Sequence, residues 1–97
     1  IQVNIGNEIQ KNGINVDNLE SFLKICSELY ELDIIGLMCI PPDNGKFAQY
    51  FQKMKILKEK FKFKELSMGM SGDYKSAIEN GATFVRIGSK IFGKRIT

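Results

Sequence analysis

The sequence of 97 residues has no histidine, no tryptophan, only two prolines and only two cysteines. Cys26 and Cys39 each sit inside an apolar run with no second ligand at metal spacing, which argues against a zinc site. Isolated thiols in such runs read as buried free cysteines, which fits a reducing, cytoplasmic compartment. Long hydrophobic segments are also missing: the longest apolar run, Ile34 to Ile40, is far short of a membrane span. The opening residues Ile1-Gln2-Val3-Asn4 have neither a basic start nor a signal-peptide core nor an initiator Met, so the chain is expected to be cut from a longer one. Charge of one sign is scarce as well. Fourteen Lys+Arg against eleven Asp+Glu leave a net charge of +3, too mild to mark a nucleic-acid binder.

What remains is an ordinary globular composition, 43% hydrophobic and 26% charged, that excludes disorder and low complexity. A full (β/α)₈ barrel takes roughly 250 residues, so residues 1–97 are read as one partial domain. Ile1 to Ile5 reads as a strand followed by a polar, glycine-punctuated loop through Gly13. From Asp17, Leu19, Phe22, Leu23, Cys26, Leu29 and Tyr30 fall at helical spacing, with Asp17 and Glu20 as a capping box. Ile34 to Ile40 has no alternation, the pattern of a parallel strand covered on both faces, and Pro41-Pro42 ends it. A second helix carries Phe47, Tyr50, Phe51, Met54, Leu57 and Phe61 on one face. Leu66 to Met70 is a short strand, Ser71-Gly72-Asp73 a turn, and Tyr74, Ala77 and Ile78 the inner side of a short helix that Asn80-Gly81 stops. Phe84 to Gly88 is a last strand that leads through Ser89 into a further helical turn. Strand and helix alternate as in βαβ units with a parallel sheet, either half of a (β/α) barrel or a small open sheet. Both architectures place ligands at the carboxyl ends of strands, here Asn4, Pro41, Met70-Ser71-Gly72 and Gly88-Ser89.

Two glycine-and-serine turns, Met70-Ser71-Gly72 and Arg86-Ile87-Gly88-Ser89, follow the last two strands. Side by side they would present backbone N–H groups and hydroxyls as a phosphate cradle. Ordinary N-caps and a tight turn account for the same residues. Arg86 interrupts the apolar strand Phe84-Val85-Arg86-Ile87. A guanidinium there either points into a barrel mouth, where it can donate to a ligand nitrogen or a carboxylate, or lies outward in a surface pair.

Gly36-Leu37-Met38-Cys39-Ile40-Pro41, Leu66-Ser67-Met68-Gly69-Met70-Ser71-Gly72-Asp73 and Val85-Arg86-Ile87-Gly88-Ser89 with Ile91-Phe92-Gly93 resemble the carboxyl-terminal half of the pyridoxal-phosphate homeostasis protein family. Gln2-Val3-Asn4 is similar to that family's strand near mid-chain, and the likeness covers nearly all of the sequence. The resemblance implies an α/β fold, the carboxyl-terminal half of a TIM-type barrel related to the amino-terminal domain of alanine racemase, with pyridoxal 5′-phosphate (PLP) as cofactor. In the family a lysine on the first barrel strand forms the Schiff base. That region is absent here, and no lysine of this chain is assigned the role. Ser71, Gly88 and Ser89 would hold the phosphate and Arg86 would face the pyridine nitrogen, with no catalytic residue. Lys90 follows them where many relatives have a small residue, Ser89 keeps the hydroxyl of a frequent threonine, and Cys39 replaces a common threonine.

A guanidinium donates to the pyridine nitrogen without protonating it, so the ring stays a weaker electron sink, as suits a carrier of the cofactor. Tyr30, Tyr50 and Tyr74 are poorly placed to serve as a racemase base. The expected function is therefore non-catalytic storage and delivery of PLP, with PLP-dependent apoenzymes as recipients; a racemase-like PLP enzyme is the alternative. The lysines from Lys53 to Lys64 read as a solvated helix face rather than an RNA-docking module, since Phe61 and Phe63 follow the core pattern. Half a closed barrel exposes two sheet edges, so the isolated chain is expected to be poorly stable, pairing with its missing half or with itself.

Overall fold

The computed structural model describes residues 1–9 and 12–88. Its elements are β1 (Val3–Asn4), β2 (Ile14–Asn15), α1 (Val16–Glu28), β3 (Gly36–Met38), α2 (Phe47–Lys60), β4 (Glu65–Met70), α3 (Tyr74–Glu79) and β5 (Phe84–Arg86). All strand pairs are parallel: β1 with β2, β3 with β4, and β4 with β5. A parallel bridge between Gln2 and Met38 joins the two groups, with Met38 N–H donating to Ile1 O at 2.8 Å. The strand order is therefore β2-β1-β3-β4-β5. From β1 through β3 and β4 to β5, chain neighbours are sheet neighbours and each step carries a helix. That is the winding of a barrel; a doubly wound open sheet would reverse direction partway.

The helices share one face of the sheet. Leu19 of α1, Phe51, Met54 and Leu57 of α2 and Ala77 of α3 are buried in one cluster with Val3, Leu37, Cys39, Leu66 and Met68 from the strands. The pleat alternates side chains, so with Leu66 and Met68 beneath the helices, Ser67 lies on the other face. Among the described residues that second face has no covering layer. The expectation that Ile34 to Ile40 is covered on both faces is corrected accordingly. Leu37 and Cys39 are buried while Met38 is only half-buried and Ile40 is exposed, because helices cover only one side of β3.

Other differences have local causes. The helix begins at Val16 after Asn15, whose side chain makes no capping bond, so Asp17 lies in the first turn and the capping box does not form. Asp17 still favours the helix there, as a negative charge near the dipole's positive end. Leu29 and Tyr30 fall beyond the end of α1 and are exposed, as is Ile78, whose inward role belongs to Ala77. The pair β1-β2 was not expected: β2 forms because the polar loop returns Ile14 N–H to Gln2 O at 2.9 Å. Phe61 and Phe63 pack partly buried against the core while Lys53, Lys55, Lys60, Lys62 and Lys64 stand exposed. No described helix is long and apolar enough to cross a membrane.

Gly69 bends the end of β4. Its φ is +105°, a Cβ there would lie 2.7 Å from the Ala77 Cβ, and the β4-β5 register shifts between Ser67 and Met70. Both free cysteines are buried, and burial pushes the Cys39 thiol from 9.0 up to about 12, opposed by the Arg86 guanidinium and reinforced by Asp73. Gly69→Ala is expected to cost about 1–3 kcal/mol in urea unfolding, from backbone strain and from displacement of α3. For Cys39, the neutral thiol is the form the fold accommodates. Its contribution to stability is complete below pH 9, where the unfolded thiol is also neutral, and is lost as pH rises toward the folded value. Between pH 8 and about pH 10 the urea midpoint of the wild type should fall more steeply than that of Cys39→Val.

Candidate functional site

The carboxyl ends of the strands form one rim. At β1, Asn4 is buried, and its amide clamps the following turn: Nδ2 donates to Glu8 O at 2.6 Å and Oδ1 accepts from Glu8 N–H at 3.0 Å. A cavity of about 400 Å³ opens beside it, lined by Asn7, Asn15 and Asn18 among others. At β4, the turn from Met70 to Asp73 is closed twice, by Asp73 N–H on Met70 O at 3.1 Å and by Met70 N–H on Asp73 Oδ1 at 2.7 Å. Ser71, half-buried, lines a second cavity of about 380 Å³ with Gly72, Asp73, Tyr74 and Phe47. The aspartate carboxyl thus serves the turn backbone rather than capping α3, whose N-cap has no side-chain bond.

Arg86 closes β5, where it pairs with Met70. Its guanidinium does not lie outward in a surface pair. Nη1 donates to Ser67 Oγ at 2.6 Å and Nη2 to the Cys39 carbonyl at 3.2 Å. Because Ser67 is on the face the helices leave bare, the arginine reaches over β4 toward the end of β3 on that face. Bonds to two neutral acceptors satisfy part of the desolvation demand of a half-buried cation and engage two of its five N–H donors. Gly88 is exposed, and neither it nor Gly72 has a described atom within 4 Å of where a Cβ would stand.

Of the residues singled out from sequence, Ser71 and Gly88 follow strand ends that pair with each other, and Arg86 lies between them in the chain. Ser89 and Lys90, with the helical turn expected after them, lie outside the described residues. Two partners of the site were missed. Ser67 was absorbed into an apolar strand, although a hydroxyl facing away from Leu66 and Met68 was a signal. The Cys39 carbonyl had none, since a main-chain acceptor is invisible in residue types.

The family profile described as alanine racemase, N-terminal domain, matches residues 1–95. The chain is 40% identical to the pyridoxal phosphate homeostasis protein of Aquifex aeolicus and 43% identical to that of Vibrio cholerae, covering 98% of its own length and 46% and 44% of theirs. It therefore spans a little under half the length of these relatives. Among solved structures, PipY of Synechococcus elongatus without PLP is similar with a TM-score of 0.81 and 31% identity over 96% of this chain and 48% of that one. PipY with PLP bound is similar with a TM-score of 0.76 and 29% identity over 96% of this chain and 47% of that one. With a barrel-type winding of parallel strands and a profile match along almost its whole length, the chain belongs to the alanine racemase N-terminal domain family.

Proposed function

We propose that this chain supplies the phosphate and pyridine-nitrogen side of a PLP site in a protein of PLP homeostasis, and that its role is to hold and deliver the cofactor rather than to turn over a substrate. The observation that carries the reading is the orientation of Arg86, whose guanidinium lies on the uncovered face at the carboxyl rim. The relatives' names and the PLP-bound PipY structure support it. The residues fit one end of the cofactor. Ser71 with the backbones at Gly72 and Gly88, continued by Ser89, would receive the phosphate, and Arg86 the ring nitrogen.

When bound, PLP supplies an aldehyde that condenses with amines and a ring that draws electrons from the adduct. Arg86 would limit the second property, since a guanidinium facing the ring nitrogen would donate a hydrogen bond to it without protonating it. The turn from Met70 to Asp73 holds Ser71, and the Asp73 carboxyl is kept on Met70 N–H rather than offered to a like-charged phosphate. Racemisation would also require a base on each face of the substrate. Tyr30 is exposed beyond α1 and the Tyr50 hydroxyl accepts from Asn44 at 3.2 Å, so neither is held at the face of Arg86. The recipients of the cofactor are proposed to be PLP-dependent apoenzymes, in the reducing cytoplasm that two free thiols suit. The open edges of β2 and β5 would pair with the remainder of a barrel or with a second copy of the chain.

Titration of the chain with PLP, followed by visible absorbance, should show reversible binding, and borohydride should leave no adduct in the intact mass. A stable adduct on one lysine would overturn the placement of the covalent ligand outside these residues. Arg86→Ala should weaken PLP binding by about tenfold or more, as expected for loss of a charge-assisted hydrogen bond. An unchanged affinity would remove Arg86 from the site. Incubation with L-alanine in the presence of PLP should give no D-alanine; its formation would favour a racemase-like enzyme.

A further inference from the structure

The position of the Arg86 guanidinium depends on a residue that makes no appearance among the expected ligands. Arginine has a long, rotamer-rich side chain, and on a sheet face that no described layer covers its head group is restrained by its hydrogen bonds. Two restraints are present: Ser67 Oγ on β4 at 2.6 Å from Nη1, and the Cys39 carbonyl just past β3 at 3.2 Å from Nη2. One lies on β4 and the other just past the neighbouring β3, and they hold different nitrogens, so together they fix both the reach of the side chain and the plane of the guanidinium.

We infer that Ser67 is a positioning residue for Arg86: its hydroxyl, with the Cys39 carbonyl, pins the guanidinium across β4 so that its remaining donors face the ligand. The polarity of the contact follows from chemistry. A guanidinium has no acceptor, so Ser67 must accept, and the hydroxyl proton is turned away from the arginine. The carbonyl is held in turn by the sheet, since Cys39 N–H donates to Ser67 O at 3.1 Å. Ser67 therefore contributes from two atoms, its main-chain oxygen fixing the Cys39 segment and its side chain fixing the arginine. Only the second is lost on substitution by alanine. This geometry is independent of what binds; its consequence for the cofactor rests on the PLP reading above.

The test separates the two. The chain has only two arginines, Arg86 and Arg95, so nitrogen-detected NMR of the guanidinium groups can be assigned with Arg86→Lys. In the ligand-free protein, slow rotation about the Nε–Cζ bond should give Arg86 two resolved Nη signals. In Ser67→Ala these should merge, with rotation faster by about tenfold, as expected for loss of one charge-assisted hydrogen bond, and PLP affinity should fall by a similar factor. Ser67→Thr keeps the hydroxyl and should restore both, and circular dichroism should show all three proteins folded alike. Unchanged Arg86 signals in Ser67→Ala would overturn the inference, whatever PLP does. Merged signals with PLP affinity unchanged in both Ser67→Ala and Arg86→Ala would leave the tether standing and overturn the cofactor reading instead.

Discussion

Parallel strands cannot be joined by a tight turn, so β3, β4 and β5 are each reached by a helical crossover, and successive crossovers of one hand stack their helices on one side of the sheet. The burial of Leu37, Cys39, Leu66 and Met68 beneath Leu19, Phe51, Met54 and Ala77 is the result. The same constraint leaves the opposite face to whatever polar residues the pleat puts there. Close approach of the strands adds a second demand: a Cβ on Gly36 would run into the Glu65 backbone, so glycine there lets β3 sit against β4.

From that arrangement the site follows without further devices. Strand ends on one rim bring Asn4, the Met70 to Asp73 turn and the Arg86 to Gly88 segment to the same end of the sheet. Asn4 and Asp73 both spend their side chains on backbone groups of their own turns, which shapes the rim rather than filling it. Arg86 does the opposite. It gives two donors to groups on β4 and beyond β3, tying three strands together on the bare face. Cys39 shows how closely the two faces are linked: its carbonyl serves the arginine while its thiol is sealed in the core and held neutral by burial.

How much of this was legible in the sequence depended on the range of the signal. Helix α2 was read with nearly its observed ends because Phe51, Met54 and Leu57 repeat at the helical period and Pro41-Pro42 precedes it. The glycine and serine punctuation after β4 and β5 located the rim, since turn chemistry is local. The pattern failed where apolar spacing marks neither the end of an element nor its partner. Leu29 and Tyr30 continue the apolar spacing of α1, yet the helix ends at Glu28 and leaves them in solvent. A two-residue strand such as β2 has no periodicity at all and exists only as a register with β1.

By itself the sequence determined the alternation of strands and helices, the apolar stripe of α2 and the presence of an arginine in the last strand, because each is encoded in residue types within a few positions of one another. The order of the strands, the side of the sheet left bare and the direction of the Arg86 side chain were decided only by the tertiary structure. Arg86 meets Ser67 across 19 residues and the Cys39 carbonyl across 47. Contacts of that separation arise from strand register, and one of the two acceptors is a main-chain oxygen that every residue carries.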